Sequence, residues 1–287
     1  MGQAIRGVST QVSLLGSEPN VAVYIDGIYQ PNQSNNNFEM MEISRVEVLK
    51  GPQGTLFGRN ATGGAIQVFT PEPSLDEATG HVKAGYGNLN DIQALGTIST
   101  PLITDRLGLL VSAGTHHRDG FHFNIADNGR RAGKYKAWQV FAKLLFEPSE
   151  SASFTLSGNY SHRNDPGIFF ATTPNGNTTA RNLPGAIVST RPYQISFDPD
   201  IPNKMTVEAY GLSLRGVFDL GFADLTSTTA FNKVNVHLIQ DRDFTNAQTI
   251  SIEIYQPQKT FMQELNLSSK SGSRLNWNAG AFIFDDI

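Results

Sequence analysis

Residues Arg45 to Thr70 read RVEVLKGPQGTLFGRNATGGAIQVFT, two strand-like runs separated by a glycine-dense loop. Five of the fourteen residues from Gly51 to Gly64 are glycine. Glycine has no Cβ to accommodate, so such a cluster marks tight turns and positive-φ backbone. A phosphate-binding loop is the nearest mechanistic rival, because Gly58 and Gly63 have its spacing. Gly64 and Ala65 stand where that motif needs Lys and Ser/Thr to hold phosphate and magnesium, so nucleotide binding is excluded. A dinucleotide fingerprint also fails, because no G-x-G-x-x-G follows a strand and opens a helix. From spacing alone, a glycine-rich hairpin in a soluble β protein stays open.

Composition narrows the class further. With 287 residues, 39% apolar and 10% aromatic, the chain has the means to order one large or two ordinary domains. A net charge of -4 gives no basic stripe for nucleic acid. There is no cysteine, so neither a disulfide framework nor a thiolate metal site is available. No apolar run, Leu107 to Val111 among them, approaches the roughly 18 residues a membrane helix needs. If the protein spans a membrane it must do so as a β-barrel.

The order of motifs adds what spacing does not. VAVYIDGIYQ (Val21 to Gln30), a short polar loop, a short helix, then RVEVLKGP, L-F-G and G-G-x-I resembles the second half of the plug domain of TonB-dependent outer-membrane receptors. The resemblance is close over about Ile5 to Thr70 and holds only as a pattern beyond. It implies a mainly β fold: a small mixed α+β plug over 1–73, then antiparallel transmembrane barrel strands over 74–287, in a family where a plug fills a barrel of about 22 strands. It also implies uptake of a scarce ligand, most commonly a ferric siderophore, powered by the inner-membrane TonB energy-coupling complex, with no cofactor and no catalysis. The N-terminal sequence lacks a signal-peptide core. The expectation is therefore a chain that begins inside the plug, without signal peptide, TonB contact box or first half of the plug, and that stops before the barrel is complete.

Past the breaker cluster Pro71-Glu72-Pro73 the chain alternates. Phe154, Leu156, Gly158 and Tyr160 share one face, with Ser153, Thr155, Ser157, Asn159 and Ser161 opposite. Trp138, Val140, Ala142, Leu144 and Phe146 are expected outward, Gln139 and Lys143 inward, and Leu275, Trp277, Ala279, Ala281 and Ile283 form a similar stripe. About nine strands are expected, at 79–87, 91–100, 106–118, 135–147, 153–163, 205–219, 223–236, 259–268 and 275–285. Alternation is shared with soluble sandwiches, but the connections alternate short and long, with long ones at 119–134, 164–203 and 237–258. A transmembrane barrel has this rhythm; a compact soluble domain rarely carries loops of that size. Nine strands neither give an even count nor surround a plug, so the sheet is expected to be open, with edges near 79–87 and 275–285. The rivals are a passive porin or adhesin barrel, which needs no plug, and a soluble β-sandwich binding module, which needs no aromatic girdle.

Candidate functional residues come from chemistry and from the resemblance. His116, His117, His122 and His162 near outer strand ends match no standard metal spacing. Asp241-Arg242-Asp243 reads as a solvated loop tip. The absence of any G-x-S-x-G or H-E-x-x-H motif gives no basis for an enzyme. The polar run after Gln30 offers uncharged amide donors and acceptors, suited to a neutral or polyhydroxylated ligand. With the family resemblance it gives a ligand-facing set of Tyr29, Asn32, Gln33, Asn35, Asn36, Asn37 and Phe57. The resemblance also implies an ionic lock between plug arginine and barrel glutamate: Arg45 to Glu264, with Glu47 nearby. Pro71-Glu72 departs from the family pattern, in which a basic residue often follows the last plug strand.

Overall fold

The computed structural model describes residues 4–6, 8–9, 19–31, 41–52, 61–165 and 182–286. In chain order the strands are β1 (Ala4–Ile5), β2 (Val8–Ser9), β3 (Val21–Ile25), β4 (Ile28–Tyr29), β5 (Arg45–Lys50), β6 (Gly64–Phe69), β7 (Thr79–Gly87), β8 (Asp91–Ile103) and β9 (Leu107–Arg118). There follow β10 (His122–Asn124), β11 (Arg130–Ala132), β12 (Tyr135–Ser149), β13 (Ala152–Asp165), β14 (Gln194–Ile195), β15 (Lys204–Asp219), β16 (Ala223–Asp241), β17 (Ser251–Ser269) and β18 (Asn278–Asp286). Among the described residues there is no helix. Of the short helix expected before Arg45, only Met41 to Ser44 are described, and they are irregular.

The glycine-dense loop is flanked by the two strands expected of it. β5 and β6 pair antiparallel, β6 runs parallel to β3, and β3 turns back into β4, giving a four-stranded sheet of order β4-β3-β6-β5. Asp26 (φ 50°) and Gly27 (φ 83°) make the β3–β4 turn, both with positive φ as the tightest hairpin turn demands. At the other end Gly64 holds φ 138°, and a Cβ there would collide with the Leu49 carbonyl oxygen. This is why glycine stands at the entry to β6.

The second large unit is one antiparallel sheet of nine strands in order β18-β17-β16-β15-β13-β12-β9-β8-β7. All neighbours are sequential up-and-down pairs, as the alternation predicts. Neither β7 nor β18 has a second partner among the described residues, so the sheet is open at the expected edges. Leu156, Leu212, Leu214, Phe231, Phe261 and Leu265 are exposed on its convex, outward face. Trp138, Tyr160 and Tyr210 stack in a belt at one border of that band, with ring centroids 4.9 and 5.4 Å apart. Phe146, Phe154 and Phe218 form a second belt at the other border, at 6.5 and 5.4 Å. Trp138 and Phe146 stand about 26 Å apart along β12 at ~3.3 Å per residue, comparable to the roughly 25 Å apolar band of a transmembrane barrel. A soluble sandwich has no use for such a band.

Three expectations need correction. Residues 237–258 are not one long loop: β16 continues to Asp241 and β17 starts at Ser251, paired throughout, because VNVHLIQ and SIEIYQPQ carry the same alternation as the strands below. The Asp241-Arg242-Asp243 tip is not solvated at its carboxylates, which are fully buried. Asp243 accepts from Thr245, Thr249 and Ile250, and Asp241 from the backbone N–H groups of Asp198 and Asp243, so these acids fold the external loops together. Leu275 and Trp277 precede β18 rather than lying within it. The strain argument at Gly64 is testable: Gly64→Ala should destabilise the plug by about 1–3 kcal/mol, read as faster hydrogen exchange across β5 and β6 with β12 to β17 unchanged.

Candidate functional site

The four-stranded sheet sits against the concave, inward face of the nine-stranded one. Ala22, Tyr29, Ala61 and Ala65 of the plug form one buried cluster with Ala230 of β16 and Met262 of β17. Small side chains let the two backbones approach, so the apolar contact is narrow. What surrounds it is polar. Alternation along β12 turns Ala137, Gln139, Phe141 and Lys143 inward, all buried. An amine that far from water needs partners for its three protons.

Lys143 has them. With 1% of its side chain exposed, its Nζ stands 3.3 Å from Asp26 Oδ2 and 3.0 Å from Glu72 Oε1, and donates to the Thr70 carbonyl at 3.5 Å. Asp26, set at the tip of the β3–β4 hairpin by its turn conformation, also accepts from the Thr70 N–H at 2.9 Å and its hydroxyl at 2.7 Å. One ammonium in the wall thereby ties the hairpin, the end of the last plug strand and the linker after it. A second ionic contact joins Glu42 to the first barrel strand: Lys83 Nζ lies 3.1 Å away and His81 Nε2 3.1 Å. Burial opposes the Glu42 charge, but hydrogen bonds from Lys83 and His81 outweigh it and hold the carboxyl below its ordinary value.

Between plug and wall lies a cavity of about 560 Å³ bordered by Tyr24, Asp26, Glu72, Lys143, Arg215 and Glu264. A smaller one beside it shares Asp26, Ile28, Ser157 and Ser213 and reaches toward Asn159, Ser161 and Asn232. Together they form a crevice of mixed character, in which wall hydroxyls and amides stand beside the rings of Phe69, Phe282 and Phe284. Burial pushes the Tyr24 hydroxyl pKa far upward, so this phenol stays neutral at the crevice wall.

The expected site residues divide sharply. Asn32, Gln33, Asn35, Asn36, Asn37 and Phe57 lie outside the described residues. Tyr29 is 4% exposed, its ring packed on Tyr24 and Phe284 at 5.6 Å each. Arg45 pairs with Glu47 at 2.8 Å and lies 3.7 Å over the Phe69 ring, while Glu264 lines the large cavity. Among the described residues no ion pair joins Arg45 to Glu264. The Arg45 and Glu47 side chains are 59% and 46% exposed, a setting in which an ion pair is worth at most about 1 kcal/mol. The buried contact runs with the opposite polarity, acid on the plug and base on the wall. Its signal was present in two separate places: Lys143 reads as inward, and Glu72 stands where a basic residue was expected. The four histidines do not converge. His116 pairs with Asp91, His117 with Asp119 and His162 with Glu208, and no group of three metal-ligating side chains is found among the described residues.

Comparison with known proteins now bears on this arrangement. Residues 2–65 match the family model of the TonB-dependent receptor plug domain. The pesticin receptor of Yersinia enterocolitica is 30% identical over 151 residues, 51% of this chain and 21% of that receptor. The vitamin B12 transporter BtuB of Vibrio vulnificus is 29% identical over 164 residues, 55% of this chain and 26% of that protein. The match thus spans between a fifth and about a quarter of these curated relatives, which are receptors and transporters rather than enzymes. In fold, the ferric yersiniabactin uptake receptor FyuA of Yersinia pestis superposes with a TM-score of 0.76 at 20% identity, over 94% of this chain and 40% of that one. The siderophore receptor PiuA of Acinetobacter baumannii gives 0.73 at 16% identity, over 99% and 41%.

Two outcomes follow from the geometry in the full-length protein. Lys143→Met removes the cation, leaving Asp26 with its Thr70 hydrogen bonds and Glu72 to solvent, so plug unfolding should become easier by about 1.5–3 kcal/mol. Arg45→Ala should cost less than about 1 kcal/mol; calorimetry of both variants in detergent checks the ranking. The Glu42 contact has a depressed folded-state pKa, so its stabilisation is complete above the ordinary carboxylate range and disappears as pH falls through the lower folded value. Acid titration should loosen the β7 contact, and Glu42→Gln should remove that part of the pH dependence.

Proposed function

We propose that the chain is part of a TonB-dependent receptor of the Gram-negative outer membrane and that the whole protein imports a scarce nutrient, a ferric siderophore above all, by energised rearrangement of its plug. In this reading residues 1–73 are plug and 74–287 barrel wall. The observation that carries it is the way the plug is fastened. Among the described residues one buried ammonium ties both the hairpin at Asp26 and the linker at Glu72 to the wall beside a cavity, so parting that one ion cluster releases both from β12. A permanently packed domain would bury a broad apolar face instead. The ferrioxamine B receptor and the ferric yersiniabactin uptake receptor among the similar proteins support an iron-carrying ligand, and the vitamin B12 transporter supplies the competing substrate class.

The ligand meets the plug at Asn32, Gln33, Asn35, Asn36, Asn37 and Phe57, with Tyr29 anchoring the base of that loop. The inner-membrane TonB complex supplies the pull. Growth of a strain deleted for the gene, on single hydroxamate or catecholate ferric siderophores or on cobalamin as the limiting nutrient, identifies the ligand. Uptake by the complemented strain should saturate and stop when the inner membrane is depolarised. Non-saturating entry that ignores depolarisation would make the protein a passive porin.

A further inference from the structure

Strand register lines up the inward side chains of the wall beside the plug hairpin in two neighbouring rows. One carries Lys143 of β12, Ser157 of β13, Ser213 of β15 and Ala230 of β16. The next, nearer the short connections, carries Thr155 of β13, Arg215 of β15, Thr228 of β16 and Glu264 of β17. Both rows border the cavity of about 560 Å³, and the charged groups described around it are Lys143, Arg215 and Glu264 on the wall, with Asp26 and Glu72 on the plug and its linker.

These charges are unequally held. Lys143 is tied to Asp26 and Glu72. Among the described residues neither Arg215 nor Glu264 is in an ion pair. The register sets Thr228 between them, so their strands stand about 10 Å apart. The consequence concerns the sign of the cavity. With the plug seated, two cations face three carboxylates. Once the hairpin carries Asp26 away and the linker carries Glu72 away, the same two cations face one. Parting therefore turns the net charge of the passage from negative to positive, with no wall residue needing to move. The rest of the wall lining there, Thr155, Ser157, Ser213, Thr226, Thr228 and Asn266, is polar and uncharged, so it does not offset the change.

We propose that the passage opened beside Lys143 selects an anionic ligand, whose own negative charge takes the place of Asp26 and Glu72 at that ammonium. The proposal rests on the import reading above and narrows it: the cargo is a metal chelate with net negative charge, carried on carboxylate or phenolate oxygens, rather than a neutral or cationic one. A buried ammonium stripped of its carboxylates is costly. An arriving anion removes that cost, whereas a cation adds repulsion. Lock and filter are thus one residue, and the plug carboxylates are the ligand's competitors for it. Arg215 offers a second contact one row further on. Glu264, in that same row, keeps the two cations from holding the anion too tightly to release it.

The test requires no knowledge of the ligand. The full-length protein is placed in planar bilayers with potassium chloride as the probe and urea to part plug from wall, and the reversal potential across a salt gradient reads which ion the opened passage favours. Wild type should be closed without urea and favour chloride once opened. Lys143→Gln and Arg215→Gln should each lower the chloride-to-potassium ratio about threefold, the effect of one unit charge some 6 Å away in water. Arg215 lies outside the lock, so its variant should open at the wild-type urea concentration even if Lys143→Gln fails to seat the plug. Asp26→Asn with Glu72→Gln should lower the urea needed for opening yet leave the ratio unchanged, because those acids are carried off with the plug and linker. A wild-type passage that does not favour chloride, an unchanged ratio in Arg215→Gln, a ratio that rises in the acid double variant, or no current before the barrel itself unfolds each overturns the proposal. Wild type conducting without urea overturns instead the plug-gated import reading beneath it.

Discussion

Inside the wall, at Lys143, an ammonium has been taken out of water, and the position of the plug follows from what that costs. Desolvating such a group costs several kcal/mol, recovered only where partners sit at hydrogen-bond distance. Asp26, Glu72 and the Thr70 carbonyl are those partners, and each belongs to a different piece of the plug and its linker. The β3–β4 hairpin therefore cannot slide relative to β12 without exposing a bare charge to the wall. The positive-φ turn at Asp26 and Gly27 makes the contact possible, because it projects the carboxylate beyond the sheet edge and back onto Thr70.

The remaining plug contacts are weaker in kind. Arg45 and Glu47 are half exposed and confined to the plug; the Glu42 contact reaches the wall at exposed side chains of β7. The apolar contact has alanines, one methionine and Tyr29 at its buried centre, with Tyr24, Ile28, Leu49 and Phe284 packed around it. Among the described residues the buried ionic fastening is thus concentrated at Lys143, beside the cavity that Asp26 and Glu72 also border.

Much of this was legible in the sequence, for a physical reason. A strand in a barrel wall is sorted residue by residue between lipid and interior, so parity alone assigns Trp138, Val140 and Phe146 outward and Gln139 and Lys143 inward, and the structure agrees. Strand ends were less legible. β16 and β17 run past the membrane border into a tall hairpin whose alternation resembles loop sequence once its outward residues become polar. Asp241 and Asp243 read as solvated because acids usually are, yet the donors that hold them come from the same loop and from the Asp198 N–H, a contact that no local pattern announces. Lys143 was placed on the correct face and Glu72 noted as a departure, but Asp26 read only as a turn residue. The pairing of the three depends on long-range register, which one sequence does not state.

The two faces of one strand pair divide the labour of the wall. On β16 and β17 the inward Ala230 and Met262 close against the plug, while three residues further up each strand the outward Lys233 and Lys259 stand at the lipid border. Because side chains alternate with period two, neither set can change register without moving the other to the wrong medium. The lipid border and the plug contact are coupled through the pairing of these two strands, with no further side-chain pathway required between them.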